Sequence, residues 1–358
     1  MAVHFHILKV KNIRQETLEC VSIAFEIPEN LKEDFKFTQG QNLTLKKEFN
    51  GEEIRRSYSI CSSPSENELR IAVKKANGGL FSTYINEQLK KGDQLEVLPP
   101  TGKFNTALDQ KHQKNYVAFA AGSGITPILS IIKTTLQTES QSSFTLVYGN
   151  RSRSSIIFFE ELQGLKNMYI DRFNLIHILS REKTESDINY GRIDATKLVD
   201  LKKIIDYKNI DEFFICGPEV MIFTAKDFLE KEGVLKNNIH FELFTVPGEK
   251  HTASKQTSKQ KNVDQQSEII IKADGLSFDF DLAFNSDSIL DAALKHGADL
   301  PFACKGGVCS SCKAKLIEGE VQMNVNYALG QEELDEGFIL CCQSYPKTKK
   351  IVIDFDAR

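Results

Sequence analysis

The chain lacks any apolar run long enough to cross a bilayer. Its longest uncharged stretch, Tyr116 to Ile132, is interrupted by Gly122, Gly124 and Pro127 and falls short of the roughly 20 residues a spanning helix needs. No membrane association is expected. Met1 to Val10 has no basic region followed by an apolar run, so neither a signal nor a transit peptide is indicated, and a cytoplasmic location with reduced thiols is expected. Cysteine is scarce, with eight in 358 residues, far below the density of a disulfide-stapled scaffold. Most of these thiols lie in the last fifth of the chain. The net charge of -4 is too small to suggest a nucleic-acid partner. What is present, 41% apolar and 26% charged residues, excludes disorder, collagen and coiled coil, and the length suits two or three domains.

Charge is unevenly distributed. Ser267 to Arg358 holds nine basic and fifteen acidic residues, a local charge of -6, which would steer a basic protein partner or simply be a solvated surface. The clearest boundary is Pro247 to Gln266, polar and almost free of large apolar residues, which reads as a flexible linker over 247–266. Residues 1–106 show short alternating runs split by Gly and Pro, with helical character only near Ser82 to Leu89, and suit an antiparallel β-barrel. Residues 107–246 repeat strand-like runs (Tyr116–Ala120, Phe144–Tyr148, Leu175–Leu179, Phe213–Cys216, His240–Leu243) with helical segments between them, the pattern of an α/β domain with a parallel sheet. In 267–358, Asp274-Gly275 marks a hairpin and Ser288 a helix start, within an α+β (β-grasp) domain.

The strongest motif is Cys304-Lys-Gly-Gly-Val-Cys309-Ser-Ser-Cys312, followed at a distance by Cys342. This C-x4-C-x2-C spacing is that of a plant-type [2Fe-2S] cluster. Two tetrahedral irons need four thiolates, and a tight loop presents three of them only if small residues let its backbone wrap the cluster, as Gly306, Gly307, Ser310 and Ser311 do here. Zinc also takes four thiolates, but zinc modules usually pair two C-x2-C knuckles and one is present. Cys341 competes with Cys342 for the fourth position. The run Cys342-Gln343-Ser344 resembles the fourth-ligand segment of plant-type ferredoxins, which favours Cys342.

Arg55-Arg56-Ser57-Tyr58-Ser59, followed by Lys74 and by Gly78-Gly79-Leu80-Phe81-Ser82, resembles the flavin domains of the ferredoxin-NADP+ reductase family. The resemblance implies that Arg56 neutralises a pyrophosphate, Tyr58 stacks on an isoalloxazine, Ser59 reaches its N5, and Lys74, Gly79, Phe81 and Ser82 complete an FAD site where a helix N-terminus offers free amides. An exposed basic pair at a polar strand edge is the plainer reading of the first motif alone.

Gly122-Ser123-Gly124-Ile125-Thr126-Pro127 follows a strand and opens a helix, so its backbone can approach a pyrophosphate and Pro127 suits the first helical turn. G-x-G-x-x-P replaces the common G-x-G-x-x-G and is the form found in the reductase family, which assigns Gly122, Gly124, Thr126 and Pro127 to nucleotide binding. The next strand ends in Gly149-Asn150-Arg151 with no acid, and the one after it in Ser180-Arg181; these basic ends favour NADPH over NADH, Ser180 and Arg181 by resemblance to a 2'-phosphate site. By the same resemblance Cys216-Gly217-Pro218 lines the nicotinamide, Glu242 is a polar neighbour of the reacting rings and Phe244 flanks the flavin. Cys20 and Cys61 read as packing residues.

Barrel, parallel sheet and ferredoxin in this order resemble the reductase components of multicomponent oxygenases. The resemblance implies an oxygenase partner, di-iron in type, that docks at the acidic ferredoxin domain. A two-electron hydride donor and a one-electron cluster require a flavin between them. A reductase of another hydroxylase or dioxygenase remains an alternative, as does a cluster-based redox sensor without turnover.

Overall fold

The computed structural model describes residues 4–244, 266–284 and 286–357; the linker expected over 247–266 lies outside the described residues except for Gln266. The N-terminal strands are β1 (His6–Thr17), β2 (Cys20–Glu26), β3 (Asn42–Phe49), β4 (Glu52–Ser59), β5 (Leu69–Lys74) and β6 (Gln94–Val97). They pair in the order β4-β3-β6-β1-β2-β5, each contact antiparallel. A bridge from Ile60 to Ile71 joins the two ends of the sheet, so the apolar alternate residues of each strand face one another inside a barrel. That interior holds Leu8, Ile23, Leu43, Leu45, Ile71 and Val97, all fully buried. Helix α1 (Leu80–Glu87) adds Phe81 and Ile85 to the same core.

The middle of the chain forms β7 (Asn115–Ala121), α2 (Ile125–Thr138), β8 (Ser143–Asn150), α3 (Phe159–Met168), β9 (Phe173–Leu179), α4 (Ala195–Leu201), β10 (Glu212–Cys216), α5 (Glu219–Lys231) and β11 (Ile239–Glu242). The five strands are parallel in the order β11-β10-β7-β8-β9. Helices α2 and α3 pack on one face and α4 and α5 on the other, which is why the strands read as nearly continuous apolar runs. Helix α2 is buried twice over, because its outer side meets the barrel: Ser130 Oγ donates to the Ser62 carbonyl at 2.6 Å, and Lys133 lies between Glu66 and Glu161.

The C-terminal module contains β12 (Gln266–Ala273), β13 (Leu276–Ala283), α6 (Ile289–Lys295), β14 (Lys313–Glu318), β15 (Val321–Met323), α7 (Gln331–Asp335), β16 (Phe338–Leu340), β17 (Ser344–Pro346) and β18 (Lys350–Asp354). Its main sheet runs β13-β12-β18-β14-β16 with β12 and β18 parallel. The hairpin pairs Ala273 with Leu276 around Asp274 and Gly275, both at positive φ, the two-residue turn that matches strand twist. Ser288 caps α6 by accepting from the Asp291 amide at 3.2 Å.

Candidate functional site

Barrel, parallel sheet and C-terminal module meet along one seam. At its centre Ser59, the last residue of β4, donates through Oγ to Glu242 Oε2 at 2.8 Å, joining the barrel to the last strand of the parallel sheet. Burial pushes the Glu242 carboxyl up to about 7, the Ser59 hydroxyl partly offsets this, and neighbouring Cys309 adds to it. A carboxyl so placed can hold or release a proton near neutrality. Cys216 is fully buried; burial raises its thiol well above the ordinary range and Glu242 adds to that. Its sulfur packs in the core between β10 and α2, and its neighbours Gly217 and Pro218 form the exposed wall.

That wall belongs to an open cleft of about 660 Å³ at the C-terminal ends of the parallel strands, where ligands of such sheets bind. Gly122 and Gly124 line it, as do Arg151, Ser180, Arg181, Phe244 and Lys74. Arg151 and Arg181 are held side by side because the pairing of β8 and β9 continues past the strand ends, with the Arg181 amide donating to the Arg151 carbonyl at 2.8 Å. Thr126 and Pro127 lie instead within the first turn of α2 with buried side chains, Thr126 Oγ1 donating to the Ser123 carbonyl at 3.0 Å. Arg192, which sequence reasoning missed, adds a fourth cation to the cleft lining, against Asp194 as the one carboxylate among the lining residues. The signal was faint: a lone Arg between Gly191 and Asp194, the residue whose side chain caps α4.

The barrel presents its own anion site. Arg56 is exposed at β4, donates to the Arg55 carbonyl at 2.7 Å, and has no carboxylate paired with it among the described residues. Helix α1 starts at Leu80 with Gly79 as its cap and no side-chain bond to its first amides, so those donors stay open. Ser82 closes the preceding loop, its hydroxyl accepting from the Ala76 amide at 3.0 Å and donating to the Gly79 carbonyl at 3.2 Å; what it can offer an anion is its backbone. Tyr58 lies half-buried 6.2 Å from the Phe81 ring. An unpaired guanidinium, open helix amides and an aromatic ring fit a dinucleotide flavin.

The cysteine loop is shaped for sulfur. Cys304 Sγ accepts from the amides of Gly306 at 3.3 Å and Val308 at 3.4 Å, and Cys309 Sγ from the Cys304 amide at 3.4 Å. Lys305, Gly307 and Ser310 adopt positive φ, which turns these amides inward. A Cβ on Gly307 would meet the Val325 carbonyl at 2.9 Å, so the small residue there is required. Cys304 interacts with Cys309 and Cys342, and Cys342 with Cys312, so the four thiols form one group. Cys341 points into the core instead, fully buried, and burial drives its thiol upward. Among the described residues no three Cys, His, Asp or Glu side chains converge as ligands of one metal ion; the donor set fits a binuclear cluster, in which each iron takes only two of the four thiolates.

Three family models match in the same order: an oxidoreductase FAD-binding domain over residues 8–106, an oxidoreductase NAD-binding domain over 119–227 and a 2Fe-2S iron-sulfur cluster binding domain over 271–347. The chain is 45% identical to a 1,2-phenylacetyl-CoA epoxidase subunit from Escherichia coli K12, covering 99% of this chain and 98% of that protein. It belongs to the flavin and iron-sulfur reductase components of multicomponent oxygenases. The ferredoxin reductase component of 3-ketosteroid-9-alpha-monooxygenase from Rhodococcus rhodochrous is 32% identical to the reductase over 98% of this chain and 96% of that one. The structure of phthalate dioxygenase reductase shares the fold, with TM-score 0.57, 24% identity and 98% coverage of both chains. The expected architecture of antiparallel flavin barrel, parallel nucleotide sheet and C-terminal ferredoxin is thus borne out, as is an oxidoreductase function with FAD-binding, nucleotide-binding and 2Fe-2S domains. Among the described residues no helix is long and apolar enough to cross a membrane.

Proposed function

We propose that this reductase takes electrons from NADPH and delivers them through FAD and a [2Fe-2S] cluster to the oxygenase of a phenylacetyl-CoA epoxidase system, di-iron in type, which docks on the acidic ferredoxin module. The observation that carries the reading is the seam at which Ser59, Glu242 and Cys309 meet, since it sets the flavin motif, the end of the nucleotide sheet and a cluster thiol side by side. A bound FAD would supply the link between a two-electron hydride donor and a one-electron acceptor, chemistry that no side chain here provides.

The chain's own residues supply position and charge. Arg56 and the open amides of α1 hold the flavin pyrophosphate, and Tyr58 and Phe244 flank its rings. The backbone of Gly122 to Gly124 approaches the nicotinamide dinucleotide, while Arg151, Ser180, Arg181 and Arg192 face its 2'-phosphate. Three arginines against one carboxylate among the cleft-lining residues favour a doubly charged phosphate over a bare ribose. Ser59 brings its hydroxyl, hydrogen-bonded to Glu242, to the flavin edge, and Glu242 holds a proton beside it. Cys216 remains a neutral thiol that packs behind Gly217 and Pro218. Cys304, Cys309, Cys312 and Cys342 ligate the cluster and the loop amides stabilise their charge. Identity of 45% to a phenylacetyl-CoA epoxidase component against 32% to a ketosteroid monooxygenase component favours the first partner. Comparing NADPH with NADH as donor, and then testing turnover with each purified oxygenase, decides these points: equal efficiency of the two donors refutes the cofactor choice, and transfer to the ketosteroid oxygenase alone refutes the partner.

A further inference from the structure

Arg55 precedes Arg56 on β4, and because strand side chains alternate it leaves through the opposite face from Arg56 and Tyr58. Its side chain is only 5% exposed, and a buried guanidinium needs several partners. Nε donates to Glu53 Oε1 at 2.7 Å, and Nη1 donates to the backbone carbonyl of Leu300 at 3.0 Å. The guanidinium carbon lies 3.9 Å from the Phe302 ring centroid and 4.9 Å from that of Phe5. Leu300 and Phe302 belong to the ferredoxin module and lead directly into Cys304. Asp299, at 3.8 Å and 87% exposed, adds little in water.

A second contact supports the far side of the same loop. Ser57, two residues along the same face of β4, shares a hydrogen bond with Thr44 at 3.0 Å, and Thr44 shares another with Ser311 at 3.0 Å, the latter buried. Ser311 lies between Cys309 and Cys312. One strand therefore carries Arg56 and Tyr58 on one face and grips both ends of the cluster loop from the other.

We propose that Arg55 is a positioning residue that fixes the ferredoxin module against the flavin barrel and so sets the separation across which electrons pass from flavin to cluster. The proposal rests on the flavin-to-cluster reading above. Electron transfer falls off steeply with distance, so a module free to swing away transfers less often. Arginine suits the task because its planar group stacks between two rings while its edge donates in several directions; lysine offers neither the plane nor the fork. Without it the buried Leu300 carbonyl loses its partner.

The test uses the full-length holoprotein with Arg55→Met and Arg55→Lys. Amide hydrogen exchange over residues 299–304 reports docking directly, and rapid mixing with NADPH resolves flavin bleaching from the later bleaching of the cluster. In Arg55→Met, exchange over 299–304 should accelerate by about tenfold or more, as expected for losing a charged hydrogen bond. Cluster reduction should slow while flavin reduction keeps its rate. Arg55→Lys should fall between this variant and the unaltered protein. Unchanged exchange together with an unchanged cluster step overturns the proposal, as does slowing of flavin reduction to the same extent as the cluster step. If Arg55→Met fails to hold flavin, Phe302→Leu removes the stacking from the other module and is judged by the same two outcomes. Failure of NADPH to bleach the flavin of the unaltered protein would instead defeat the functional reading, and exchange alone would then decide on Arg55.

Discussion

Replacing Gly124 with alanine isolates a single steric contact. Gly124 has φ -61° and ψ -8°, a conformation any residue adopts, so backbone strain plays no part. A Cβ built there would stand 2.1 Å from the Cys216 carbonyl oxygen, 2.4 Å from its carbon and 2.8 Å from the Gly217 nitrogen, where ordinary contact begins at 3.4 Å. Either the loop after β7 or the turn after β10 must retreat by roughly 1 Å, and both are backbone. Overpacking of this kind costs about 1–3 kcal/mol, from which the reduced entropy of the unfolded chain returns about 0.4–1 kcal/mol. Gly124→Ala should therefore lose about 1–2 kcal/mol of stability in urea unfolding followed by circular dichroism. Because Gly217 and Pro218 line the cleft, the KM for NADPH should rise by about tenfold, within what a displacement of 1 Å does to positioning. Gly164, inside α3 with nothing within 4 Å of its built Cβ, is the control, and alanine there should stabilise by about 0.5–1 kcal/mol. Gly124→Ala with unaltered stability and KM, or an equal loss at Gly164, would refute the close-approach argument.

Arg181→Ala should raise the KM for NADPH by about tenfold or more, the worth of a charged hydrogen bond, and leave that for NADH nearly unchanged; equal effects on both donors would remove Arg181 from the 2'-phosphate site. Cys342→Ser should abolish the visible absorption and paramagnetic signal of the cluster, whereas Cys341→Ser should retain both; the reverse result would exchange their roles. His177 packs between the rings of Tyr148 and Phe159 with neither ring nitrogen hydrogen-bonded among the described residues. Burial, helped by Arg153, lowers its pKa from 6.5 to about 4. The folded state then binds fewer protons than the unfolded one between those values, so the stability this group contributes is complete above pH 6.5 and lost as pH falls towards 4, at most about 3 kcal/mol. His177→Leu should flatten that part of the stability-pH curve, and an unchanged curve would show that the ring is solvated.

Local pattern carried much of this architecture. The five strand runs foreseen between Tyr116 and Leu243 all became parallel strands, because a sheet covered on both faces leaves an apolar signature in each strand. Gly124 was legible because the Cys216 carbonyl approaches too closely for a side chain, and Gly122 because its φ is positive. Arg55 and Arg56 were not separable: in sequence they form one basic pair, yet one is exposed and the other buried. Alternation puts them on opposite faces, but which face meets the ferredoxin depends on contacts more than 240 residues away in the chain. Arg192 was missed for a similar reason, since the cleft gathers it through the pairing of Leu179 with Tyr190.

Taken alone, the sequence determined which chemistry the chain is equipped for, because thiol spacing, a glycine-bearing turn and a strand-borne Arg-x-Tyr-Ser are local demands of a cluster, a pyrophosphate and a flavin. Tertiary structure decided which of two adjacent cysteines joins the other three thiols, since consecutive residues point to opposite sides of the chain and only the packed core shows which side is which. It also raised the Glu242 carboxyl towards neutrality and brought Ser59, Glu242 and Cys309 to one seam. Those effects depend on burial and on distances between segments far apart in the chain, quantities that exist only once the three modules have packed together.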